Sequence, residues 1–92
     1  MLPWKSIIEI QKDSDCPVYL QIANAIICEM KKGRVGPGIK LPGTRQMSEI
    51  LNVHRKTLVR AYDELDAQGW IEMVASKGTF TSKELPETNP RK

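Results

Sequence analysis

The chain has 92 residues, 40% of them hydrophobic and 27% charged, the balance of one small globular domain with a modest core. Its longest apolar stretch, within Val18 to Cys28, is broken by Gln21 and Asn24, which excludes a membrane span, and the N-terminus lacks a secretory pattern, so a cytoplasmic protein is expected. One histidine and two cysteines, Cys16 and Cys28, are too few for a zinc site, so no metal is expected; both thiols read as reduced, Cys28 as a small apolar helix residue.

Residues 1–15 read as a lead-in in which Ile7, Ile8 and Ile10 form either a short strand or a segment docked on the domain. Asp13, Ser14 and Asp15 then signal a helix start, with Pro17 in the first turn, where its missing N–H costs nothing. The first helix is predicted from Pro17 to Lys32, with Val18, Ile22, Ala25, Ile26 and Met30 as one buried stripe. Gly36-Pro-Gly38 and Leu41-Pro-Gly43 are turn signals around a short connector. A second helix follows from Thr44 to Leu51, burying Met47, Ile50 and Leu51. Asn52, which adopts a left-handed backbone readily, makes the turn, and Val53 plugs the space between helices.

The third helix is predicted from His54 to Gln68, ending at Gly69. Leu58, Ala61, Tyr62 and Leu65 form its core face, and rotation by 100° per residue puts Lys56, Arg60, Asp63 and Ala67 outward. Trp70 to Val74 and Thr79 to Thr81 then read as two strands joined by a tip at Ala75 to Gly78, and residues 83–92 as a linker or tail. Three helices followed by a hairpin give a mainly α fold with a small β-hairpin: a winged helix-turn-helix over residues 16–82.

Charge is segregated within this frame. From Lys31 to Arg60 there are eight basic residues against Glu49 alone, a local balance of +7, although the whole chain carries only +3. A field of that kind suits a polyanion, although a solvated charged face would look the same. Helix-turn-helix logic narrows it, because the last helix offers its first residues to base edges in double-stranded DNA. That helix starts with His54, Arg55, Lys56 and Thr57, with Arg60 one turn later. Arg55 and Lys56 suit the two acceptors of a guanine edge, and Thr57 a phosphate or a thymine methyl. Arg60 lies farther along and suits a phosphate.

Arg45 is read as a phosphate contact, against the competing arrangement of an exposed pair with Glu49. Lys77 and Gly78 either reach a minor groove or form an ordinary polar turn. His54 is a weaker helix cap than Ser or Thr by about 1 kcal/mol, which fits either a DNA contact or a tolerated surface residue. Tyr62 and Trp70 read as packing residues. No nucleophile elbow, phosphate loop or pair of carboxylates in an apolar setting is present, so no enzyme activity and no cofactor are expected of this chain. The rival reading from another class is a protein-interaction module docking an acidic partner.

Several motifs in order, Pro17-Val-Tyr-Leu-Gln-Ile22, Gly38-Ile-Lys-Leu-Pro-Gly-Thr-Arg45, Leu51-Asn-Val-His-Arg-Lys-Thr57, Ala61-Tyr62, Gly69-Trp-Ile71 and Lys77-Gly-Thr-Phe80, resemble the GntR family of bacterial transcription regulators. The Thr44-Arg45 and Arg60-Ala-Tyr62 forms look most like the MocR-type branch, with the YtrA-type branch second. The resemblance implies DNA contacts by Arg45, His54 to Thr57 and Lys77-Gly78, and dimers on paired half-sites. For a MocR-type protein it also implies a separate effector domain holding pyridoxal phosphate, toward which residues 83–92 would lead. Gly43 and His54 depart from the Ser or Thr usual at their positions.

Overall fold

The structure, a computed structural model, describes residues 3–82; the tail expected at 83–92 lies outside the described residues. A short helix α1 (Trp4–Ile7) leads to α2 (Val18–Lys31), strand β1 (Lys40–Leu41), α3 (Thr44–Leu51), α4 (Arg55–Ala67) and strands β2 (Ile71–Val74) and β3 (Gly78–Thr81). The three long helices and the wing strands stand within one residue of their predicted limits. Pro17 sits at the N-cap, one place before the expected first turn, and its carbonyl accepts from the N–H of Leu20 and Gln21, both at 3.1 Å.

The lead-in is helical only over Trp4–Ile7, and Ile7, Ile8 and Ile10 pack on the core, so the docked segment holds and the alternative of a short strand does not. Trp4 and Ile8 stand one helical turn apart and both enter the core, while Ser6, which a strand would place on the same face as both, is exposed. Ile22, Ile26 and Met30 of the α2 stripe are buried as predicted. Val18 and Ala25 are only half-buried, and Ala23 is buried instead. Cys28 is exposed rather than apolar filling, since two steps along a helix rotate it about 200° from Ile26.

Between α2 and α3 the expected connector contains a strand. Lys40 pairs with Phe80 and Leu41 with Thr79, so β1 adds an edge to the hairpin in the order β1-β3-β2. Thr81 fixes this edge: its hydroxyl donates to the Gly36 carbonyl at 2.7 Å and accepts from the Ile39 N–H at 2.8 Å. The wing is therefore a three-stranded antiparallel sheet, seated on the helices through Leu41, Ile71 and the buried Trp70.

α4 crosses the centre, with Leu58, Ala61, Tyr62 and Leu65 all fully buried against α2 and α3. Burying each large side chain contributes about 1.5–3 kcal/mol. The Tyr62 hydroxyl donates to the Pro42 carbonyl at 2.7 Å, tying α4 to the loop that precedes α3. Burial pushes that phenol above its ordinary range, so it remains a donor at any physiological pH.

The turn between α3 and α4 rests on Asn52, at φ 57° and ψ 50°, as expected. Val53 follows half-buried against the core, its N–H bonded to the Ser48 carbonyl at 3.0 Å. Asn52→Val should destabilise the domain by about 1–2 kcal/mol, because a β-branched residue tolerates this backbone poorly. Asn52→Gly should be near neutral. Urea unfolding of both variants checks this, and a Val variant as stable as the parent would refute it.

Candidate nucleic-acid interface

The recognition residues predicted from sequence lie at the uncovered end of α4. His54 occupies the N-cap, its carbonyl accepting from Thr57 at 3.0 Å and Leu58 at 3.3 Å while its side chain makes no cap bond. Arg55 and Lys56 are exposed and Thr57 is half-buried. Two shallow grooves flank this end. One is lined by His54, Arg55 and Thr57 together with the Asn52–Val53 turn, and the other by Lys56, Thr57 and Arg60 with the first turn of α2. Thr57 of α4 and Val18 of α2 line both, so together they divide the two grooves.

Arg60 is exposed but oriented. Its guanidinium carbon stands 4.3 Å from the centroid of the Tyr19 ring on α2. A cation over an aromatic face is attracted by about 0.5–1 kcal/mol at an exposed site, which holds the guanidinium beside Lys56 without consuming its N–H donors. Tyr19 carries this role without having been singled out from sequence. The spacing of Tyr19, Ile22, Ala23 and Ile26 along one helical face is the signal that places it toward α4.

Arg45 stands apart on α3. Its side chain is 81% exposed and its Nε lies 3.8 Å from the Glu49 carboxylate, itself 70% exposed. The competing ion pair therefore forms, but so open a pair contributes little and leaves most of the guanidinium facing solvent. Lys77 and Gly78 lie at the wing tip, away from α4 in sequence and joined to it only through the sheet. Gly78 has φ 121°, which strains any side chain, and a Cβ there would come 3.1 Å from Cε of Lys40. Lys40 thus lies along the wing beside Gly78, a second cation at that tip that a two-residue strand gave no period to reveal.

Among the described residues, no helix is long and apolar enough to cross a membrane, and no group of three His, Cys, Asp or Glu is placed to hold a metal ion. The bacterial regulatory protein model of the gntR family matches residues 18–81. The chain belongs to the GntR family. That span starts at the first residue of α2 and ends with β3.

Within the family, the chain is 35% identical over 81 residues to the HTH-type transcriptional repressor YtrA of Bacillus subtilis, covering 88% of this chain and 62% of the relative. It is 32% identical over 78 residues to the probable rhizopine catabolism regulatory protein MocR of Rhizobium meliloti, covering 85% of this chain but 16% of that protein. This GntR chain thus spans less than two thirds of either relative. Among solved structures, YtrA from Sulfolobus acidocaldarius, a GntR-family transcription factor, superposes with a TM-score of 0.81 at 35% identity, over 89% of this chain and 86% of that one. AraR(DBD) in complex with operator ORX1 superposes with a TM-score of 0.71 at 25% identity, over 82% and 96%. The mainly α fold with its small sheet is thus that of GntR winged helices.

Proposed function

We propose that this chain binds double-stranded DNA in a sequence-specific way, as the DNA-binding module of a bacterial transcription regulator. The observation that carries the reading is the end of α4, where Arg55, Lys56 and Arg60 are exposed while the opposite face of the same helix is buried. Such a helix has polar and cationic groups to offer a major groove and a rigid scaffold behind them. Arg55 and Lys56 read guanine edges, Thr57 touches a phosphate or a thymine methyl, and Arg60 and Arg45 grip the backbone. Lys77 and Gly78 bring the wing near the minor groove, and His54 stands at the edge of the contact. AraR(DBD), solved in complex with an operator, has this same fold, which supports DNA as the partner. Two copies on paired half-sites complete the proposal.

Salt dependence tests it. With about five phosphate contacts per domain, log affinity for a duplex should fall against log salt with a slope near −4 to −5. Binding that is absent, or indifferent to salt, would sink the reading and leave an acidic protein partner for the same cations.

A further inference from the structure

Lys12 lies outside the residues that the family model matches, in the polar run that precedes α2. Its position is nevertheless fixed from both sides. Upstream, Ile8 is buried and Ile10 packs against the core. Downstream, the side-chain amide of Gln21 on α2 clamps the backbone. Its oxygen accepts from the Gln11 N–H at 2.7 Å, and its nitrogen donates to the Gln11 carbonyl at 2.9 Å and to the Cys16 carbonyl at 2.8 Å. Both amide donors are thereby used, and residues 11–16 are bracketed by one side chain.

On this clamped loop Lys12 lines the groove of Asn52, Val53, His54, Arg55 and Thr57 at the N-terminal end of α4, and it borders a second groove with Glu9 and Ile10 on the side of the lead-in. Asp13 and Asp15 are on the same loop, yet among the described residues Lys12 forms no ion pair. It is an exposed cation on a pinned backbone, beside the residues assigned to base contact and uncommitted to any acid.

We propose that Lys12 is a further DNA contact, holding a backbone phosphate next to the bases that Arg55 reads, and that Gln21 is its positioning residue. This rests on the DNA-binding reading above. It makes the lead-in part of the interface, beyond its role in covering the core.

The test is a salt titration with a fluorescein-labelled duplex of mixed sequence, followed by anisotropy. Lys12→Ala should reduce the steepness of the salt slope by about 0.9, the share of one phosphate contact, and Lys12→Arg should restore it. Lys32→Ala removes the same charge at the far end of α2, about 20 Å along the helix, and should leave the slope unchanged. Gln21→Leu should reduce the slope in the parent and have no further effect once Lys12 is alanine, in protein shown to be folded by circular dichroism. A Lys12→Ala slope equal to the parent's, or a drop matched by Lys32→Ala, would overturn the proposal. A parent that binds no duplex would remove the DNA reading itself.

Discussion

Arg55→Ala should weaken binding to the preferred duplex by about 1–3 kcal/mol, or roughly 5- to 150-fold, and should relax the choice of base at one position only. The expectation follows from where the guanidinium sits. It is exposed, in the first turn of α4, with its backbone fixed by the helix and by the buried Leu58 and Ala61 behind it. A planar fork held there meets both acceptors of one guanine, and alanine leaves that base pair free to vary. Arg45 provides the contrast. Its own partner is the exposed Glu49, and its place on α3 suits the backbone. Arg45→Ala should therefore weaken all sequences alike and take about one unit from the salt slope. Binding assays on a panel of single-base variants separate the two. Equal losses on every duplex for both variants would refute this division of roles.

The second large effect concerns stability. Tyr62→Ala should cost about 3–5 kcal/mol, the range for truncating a large buried aromatic ring, a severe loss for a domain of this size. Tyr62→Phe keeps the ring and removes only the bond to the Pro42 carbonyl, so about 1 kcal/mol is expected. The difference matters for the site, because that bond ties α4 to the loop leading into α3 and hence to Arg45. Urea unfolding should rank the parent first, Phe second and Ala a distant third. Phe and Ala variants of equal stability would mean that the ring contributes nothing to the core.

Much of this was legible along the chain because it is local. The α4 face repeats at helical spacing, Asn52 announces its turn, the outward cations Lys56 and Arg60 follow from the same rotation, and Arg55 follows from its place at the helix start. What was not legible depends on distant partners. Strand β1 is two residues long and exists because β3, far along the chain, pairs with it. Lys40 reaches the wing tip only through that pairing. Tyr19 meets Arg60 only once α2 and α4 pack. The lead-in shows the same limit: its isoleucines signalled burial, but only the packing of Trp4 and Ile8 together decided for a helix.

We propose that the start of α4 reads base sequence in duplex DNA. Selection of bound duplexes from a random pool tests it most directly. The expected result is enrichment of a short motif containing a guanine whose preference disappears when the selection is repeated with Arg55→Ala. A pool that remains random after selection, or a motif unchanged by that substitution, would contradict it.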